Sequence, residues 1–229
     1  MAGGRGTRLA PYTTVLPKPL MPLADRPIID VILRQLVAAG VERISISVGH
    51  LGSLIESWVR SEPDYSVPID FLYEDMPLGT AGALRSLDSL EGAFLAMNGD
   101  ILTTLPFAAM VERHQRSGAV ATVAVNERSV AIDYGLVHAD GDGQVIRLEE
   151  KPTLRYTVSM GVYAFDPRIV DYISDGERVD FPTLLQRLMD DGRAVATYPF
   201  AGYWRDIGNR DDYEVAVADF AEDAGRFVG

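Results

Sequence analysis

Cysteine is absent from this 229-residue chain, and lysine nearly so. Without thiols there can be no disulfide and no thiolate metal site. No run is long and apolar enough to span a bilayer, and no charged-then-apolar leader pattern opens the chain. These absences together fit a cytoplasmic location. Basic residues form no cluster and the net charge is −12, which argues against nucleic acid or an anionic membrane as partner. No complete P-loop, G-x-S-x-G elbow, internal repeat or low-complexity tract is present. His50, His114 and His138 are scattered, without metal-ligand spacing, and read as ordinary surface or core residues.

The two lysines that remain, Lys18 and Lys151, are each followed by proline, and the other nineteen of the 21 basic residues are arginine. Lysine carries a compact point charge that fits one phosphate oxygen or one tight pocket, where a guanidinium is too broad. Both lysines are therefore expected to touch an anion. From Met1 to Ala24 there is no Asp or Glu, while Arg5, Arg8 and Lys18 are present. This positive zone in an acidic chain surrounds a glycine-rich stretch, Gly3-Gly4-Arg5-Gly6-Thr7. Glycine permits positive φ and lets backbone N–H groups approach an anion closely.

The remainder alternates helical and strand patterns, which predicts an α/β domain with a mainly parallel central sheet and helices on both faces. Helices are expected over 27–39 (Pro at its start, Gly40 as its stop), 51–60, 104–117, 181–189 and 210–221, with a short one at 80–87. Strands are expected over 43–48, 69–73, 94–97, 119–125, 136–138, 144–148, 158–165 and 195–198. Asp140-Gly141-Asp142-Gly143 lacks the further ligands of a calcium loop and reads as a hairpin turn. A 47% hydrophobic content suffices for one full core, and no linker divides the chain.

The stretch Gly3-Gly4-Arg5-Gly6-Thr7-Arg8-Leu9, followed by Pro11, Thr13 and Pro17-Lys18-Pro19, resembles the signature of the sugar-1-phosphate nucleotidyltransferases. Further motifs follow in order: Pro77-Leu78-Gly79-Thr80-Ala81-Gly82, Asn98-Gly99-Asp100, Tyr134-Gly135, Glu149-Glu150-Lys151-Pro152, Ser159-Met160-Gly161 and Tyr203-Trp204-Arg205-Asp206. The resemblance implies a three-layer Rossmann-like domain. Residues 1–125 would mainly bind the nucleoside triphosphate and 126–229 the sugar 1-phosphate. It also implies the residue roles. Gly3, Gly4, Gly6 and Thr7 would face the triphosphate, and Arg8 the departing β- and γ-phosphates. Lys18 would contact the α-phosphate and Lys151 the sugar phosphate. Gly79 and Thr80 would meet the base. Gly135, Glu150 and Ser159 would meet the sugar, and Asp100 and Asp206 would share a Mg²⁺.

The base loop looks most like that of guanylyltransferases acting on mannose or D-glycero-D-manno-heptose 1-phosphate. Uridylyl and cytidylyl relatives carry similar loops, so uridylyl, cytidylyl or adenylyl transfer to another hexose 1-phosphate is the alternative. A non-catalytic regulator that binds a sugar nucleotide, or a metal-dependent glycosyltransferase, are the competing classes. The resemblance is compatible with a monomer or a homodimer, and no hexapeptide-repeat tail of a bifunctional relative follows. Two departures stand out. Ser159 replaces an Asn found in many relatives, and the short buried strand that ordinarily precedes the glycine loop is missing. The expectation is that Met1 is an internal residue of a longer natural chain, or else that neighbouring segments close the gap.

Overall fold

The first long helix shows how the sequence builds its elements. Pro27 supplies a helix-compatible φ at its entry, and buried Ile28, Val31, Ile32 and Leu36 recur on one face. Gly40, at φ 81°, ends it, with its N–H bonded to Val37 O and that of Val41 to Leu36 O. The other helices also start and stop within a few residues of their expected places, whereas the strands expected over 119–125 and 158–165 extend to Ala131 and from Thr153. The computed structural model describes residues 1–4, 6–62, 65–87 and 90–228. Arg5 of the glycine loop therefore lies outside the described residues.

In chain order the strands are β1 (Pro22–Leu23), β2 (Arg26–Pro27), β3 (Ile44–Val48), β4 (Ile69–Tyr73), β5 (Phe94–Met97), β6 (Ile101–Thr103), β7 (Ala121–Ala131), β8 (Leu136–Ala139), β9 (Val145–Glu149), β10 (Thr153–Phe165), β11 (Val195–Pro199) and β12 (Trp204–Asp206). The helices are α1 (Ile28–Ala38), α2 (Gly52–Ser61), α3 (Phe107–Ser117), α4 (Phe181–Asp190) and α5 (Arg210–Glu222), with single 3-10 turns between. The short helix expected at 80–87 is a 3-10 segment, Gly82–Ser86.

The α/β layering is as expected, and the sheet is mixed. Four strands run in the order β11-β7-β10-β5. β11 is parallel to β7, whereas β10 is antiparallel to both its neighbours. β3 and β4 form a separate parallel pair. The antiparallel member arises because β7 and β10 run far past the sheet as an arm, Ala131 pairing with Thr153, and the chain then returns along its own path. On that arm sits the β8–β9 hairpin. Its turn is the predicted one: the Asp140 carboxylate accepts from the N–H groups of Asp142 and Gln144.

Strand alternation divides the interior in two. Ala121, Val123, Val125, Tyr163 and Phe165 face α4, where Phe181, Leu184 and Leu188 meet them. Ala124, Val162 and Ala164 face the opposite way, into the larger core with residues of α1, α3 and α5. A sheet covered on both faces is the three-layer arrangement.

The segment before the glycine loop is where the missing strand was noted. The Met1 ammonium donates to Met97 O at 2.8 Å, Gly99 N–H to Met1 O at 2.8 Å, and Ala2 N–H to Ser47 O at 2.8 Å. Met1 and Ala2 thus bridge the carboxyl ends of β3 and β5 in a parallel ladder pattern. The chain enters the glycine loop from between these two strands.

Candidate active site

The cleft lies where the glycine loop leaves the carboxyl ends of β3 and β5. It has a volume of about 220 Å³ and is lined by Gly4, Gly6, Thr7, Arg8, Lys18 and Asp100, among others. That is below the roughly 300–1,000 Å³ of a site enclosing a whole drug-sized ligand, and suits the phosphate end of one. Gly6 is required at its position. Its φ is 60°, and a Cβ there would meet Thr13 Cγ2 at 2.9 Å and Lys18 Cβ at 3.3 Å. Thr13 locks the turn by donating to Gly6 O at 2.8 Å.

Lys18 is held from below. It opens a one-turn 3-10 helix between Pro17 and Pro19, its stem packed under Gly6. Its side chain is 9% exposed, and Nζ donates to Asp100 Oδ2 at 2.5 Å. Asp100 sits in the turn after β5, and its carbonyl accepts from Ile207 N–H at 2.9 Å. β12 pairs antiparallel with β6, setting Asp206 opposite Ile101 and therefore beside Asp100. Arg8 and Asp206 flank Gly208, where a Cβ would lie 3.4 Å from Arg8 Nη1 and 3.5 Å from Asp206 Oδ2.

Asp206 is titrated away from its ordinary range. Withdrawal from water raises its carboxyl pKa, and the negative charge of Asp100 raises it further, against the opposing pull of Lys18 and Arg8. Asp100 has an ammonium as direct partner; Asp206 has no hydrogen-bond partner among the described residues. Two hard oxygen donors, one under electrostatic strain, are the donor set that Mg²⁺ takes when phosphates and waters complete its shell. No group of three His, Asp or Glu residues able to hold a metal occurs among the described residues.

The other predicted residues lie in two further places. Gly79 has φ 77°, and a Cβ there would lie 2.5 Å from Val179 O. Thr80 donates its N–H to Asp180 Oδ1 at 2.9 Å, and its hydroxyl accepts from Phe181 N–H at 2.9 Å, capping α4 from a distant segment. The smallness of Gly79 and the hydroxyl of Thr80 are thus both engaged by the protein itself. Gly3 packs against Gly49, outside the cleft lining.

On the arm, Gly135 and Glu150 meet, a Cβ on Gly135 lying 3.2 Å from Glu150 Oε2. Lys151 is exposed and holds φ 44°, unusual for a residue with a Cβ. Ser159 opens an irregularity in the β7–β10 register. Its Oγ accepts from Gly161 N–H at 3.2 Å and meets Tyr163 OH at 3.1 Å. Beside this bulge Asn98 Oδ1 is buried without a partner among the described residues.

Two residues escaped the sequence reading. The Glu74 carboxylate bonds Ser47 Oγ through Oε1 and accepts from Leu78 N–H through Oε2 at 2.9 Å, tying the 77–82 loop to β3. Arg205 reaches Asp212 at 3.4 Å and Asp219 at 3.7 Å, fixing β12 on α5 and with it the position of Asp206. The acid five residues before Gly79 was a signal for the first; the Arg-to-Asp spacing was too common to reveal the second.

An open α/β sheet with a glycine loop and facing carboxylates at its strand ends defines a class of ligand-binding fold. A family model described as nucleotidyl transferase matches residues 1–223, and the chain belongs to that family. The mannose-1-phosphate guanyltransferase of Yarrowia lipolytica is 33% identical over 225 residues, covering 93% of this chain and 61% of the relative. The UTP–glucose-1-phosphate uridylyltransferase of Synechocystis sp. is 30% identical over 237 residues, covering 95% and 61%. The chain therefore spans about three fifths of the length of these relatives. The crystal structure of HddC from Yersinia pseudotuberculosis complexed with GMP-PN shares the fold, with a TM-score of 0.71 at 24% identity over 96% of both chains.

Proposed function

We propose that this protein transfers a nucleotidyl group from a nucleoside triphosphate to a sugar 1-phosphate. An oxygen of the sugar phosphate attacks the α-phosphorus as the bond to the bridging β-phosphate oxygen breaks, and pyrophosphate leaves. The attacking phosphate is already an anion, so no general base is needed. The task is to bring two anions together and neutralise the charge that shifts to the leaving group. The observation that carries this reading is the convergence, from three segments, of Lys18, Arg8, Asp100 and Asp206 around a glycine-loop cleft.

In this reading the amides of the glycine loop receive the triphosphate, Arg8 the departing phosphates and Lys18 the α-phosphate. Asp100 and Asp206 would hold Mg²⁺, which supplies charge neutralisation at the reacting phosphate when bound. Lys151, Glu150, Gly135 and the Ser159 bulge serve the sugar 1-phosphate. Residues 1–125 thus carry mainly the nucleotide and 126–229 mainly the sugar. The positive φ of Lys151 supports its role, because backbone strain of this kind collects at ligand clamps.

Guanine is the favoured base and a manno-configured hexose or heptose the favoured sugar. The guanyltransferase relative supports the base. So does Glu74, a carboxylate beside the base loop, because guanine presents N1–H and N2–H donors that a carboxylate can accept. The uridylyltransferase relative keeps UTP as the alternative. Pyrophosphate release measured over a matrix of nucleoside triphosphates and sugar 1-phosphates tests all of this. Turnover is expected with GTP and a mannose-type phosphate. Nucleotide binding without any pyrophosphate release would favour the regulatory class instead.

A further inference from the structure

The contact between Lys18 and Asp100 has a consequence for how the site fills, and it rests on the assignment of Asp100 to the metal. We infer that Lys18 is the stand-in counter-ion of Asp100 in the free protein. It yields that carboxylate to a divalent cation only when a phosphate arrives to accept its ammonium.

The argument begins with burial. The Lys18 side chain is 9% exposed, and an ammonium so far from water needs an anion beside it. Its stem cannot swing away as a whole. The residue opens a 3-10 turn between two prolines, and its Cβ lies 3.3 Å from the position a Gly6 Cβ would take. Only the tip can exchange partners. At rest the tip covers Asp100 Oδ2 at 2.5 Å, so a cation approaching that oxygen meets a like charge. The same tip borders the cleft beneath Gly4, Gly6 and Thr7, where a phosphate would lie.

Three cases follow. A metal entering alone would strip Lys18 of its anion and leave a buried ammonium unpaired. A phosphate entering alone would draw Lys18 off and leave Asp100 bare, next to Asp206 and facing another anion. Metal and phosphate entering together pair every charge. Metal and nucleotide must therefore strengthen each other's binding, and by linkage each does so by the same factor, typically about 5–150-fold. Arg8 lines the same cleft but makes no ion pair with Asp100 among the described residues, so Lys18 alone of these two cations covers that carboxylate.

The test uses Mn²⁺ as probe, followed by the loss of its free-ion electron paramagnetic resonance signal. Without nucleotide, Lys18→Met is expected to bind Mn²⁺ about tenfold more tightly than the wild type. The enhancement of nucleotide affinity by metal, measured with a non-hydrolysable GTP analogue with and without chelator, should shrink by a similar factor. Chelation by the nucleotide itself is common to both proteins and cancels. Arg8→Met removes an equal charge without touching Asp100, and an equal gain there would reduce the effect to general electrostatics and overturn the inference. Equal Mn²⁺ affinity in wild type and Lys18→Met would also overturn it, while leaving the metal assignment standing. Failure of Mn²⁺ to bind either protein, even with nucleotide, would remove the metal assignment itself and this inference with it.

A second measurement needs no variant in the cleft. Lysine labelled with ¹³Cε and ¹⁵Nζ gives two side-chain signals in this chain, and Lys151→Arg identifies which is Lys18. The Lys18 signal should stay in place with Mg²⁺ alone and move when Mg²⁺ and the GTP analogue are added together. Movement with Mg²⁺ alone would refute the exchange.

Discussion

The surroundings of Lys18 give a specific reason for a lysine there. Around Lys18 the space is bounded by Gly6, Pro17 and Pro19, and the ammonium ends on one carboxylate oxygen. A guanidinium keeps the charge but is longer and planar. Lys18→Arg is accordingly expected to lower kcat by about 100-fold or more, the scale of losing one preorganised charge contact. Near-normal kcat would refute the argument from lysine geometry. Lys151 is the opposite case, exposed and conformationally strained at φ 44°. Glycine relaxes that conformation, at some entropic cost in the unfolded chain. Lys151→Gly should hold or raise stability by up to about 1 kcal/mol while raising KM for the sugar 1-phosphate roughly tenfold. An effect on the KM of the nucleotide instead would place this lysine on the other substrate.

At the scale of elements, the 77–82 loop shows what sequence reading could and could not reach. Its small residues were read as a close approach of backbone to the base. The structure packs them against 177–181, about a hundred residues away in the chain, a contact no local pattern could reveal. Gly79 and Gly82 both face backbone oxygens there, Val179 O and Glu177 O, each at 2.5 Å from an added Cβ. Gly79→Ala is expected to cost about 2 kcal/mol or more, through both its positive φ and that collision. Thr80→Val, which keeps the shape and removes the cap on α4, should cost about 1 kcal/mol. Urea unfolding midpoints for the two variants check the order. A Gly79→Ala protein of normal stability with weakened nucleotide binding would return that glycine to the base. The pair β6 and β12 was missed for a different reason. Three-residue strands are too short to show a period of two, yet this pair sets Asp206 beside Asp100.

The molecule as a whole buries one histidine that matters to its pH response. His114 of α3 is 3% exposed and meets Thr122 Oγ1 at 2.9 Å. Burial holds its pKa below the usual value, with the nearby Asp166 charge opposing. The unfolded chain protonates this residue near pH ~6.5, whereas the folded chain resists until lower pH. Protons then bind the unfolded state preferentially, so stability falls as pH drops below that point. The loss from this group accumulates as the pH falls from 7.5 to 5. Comparing urea midpoints of the wild type and His114→Asn over that range isolates it from the easing of general charge repulsion. Equal slopes for the two proteins would contradict the assignment.

The order of the helices and the longer strands, the turn at Asp140, the glycine loop and the place of Lys18 beside it were determined by the sequence alone. Each depends on local chemistry: which φ a residue tolerates, which face repeats, which charge fits a small space. Tertiary structure alone decided that Lys18 rests on Asp100, that Arg205 and a three-residue strand bring Asp206 alongside, and that Thr80 caps a helix a hundred residues on. Those contacts join segments that share no period and no spacing, and only the packing of two cores against one sheet brings them within bonding distance.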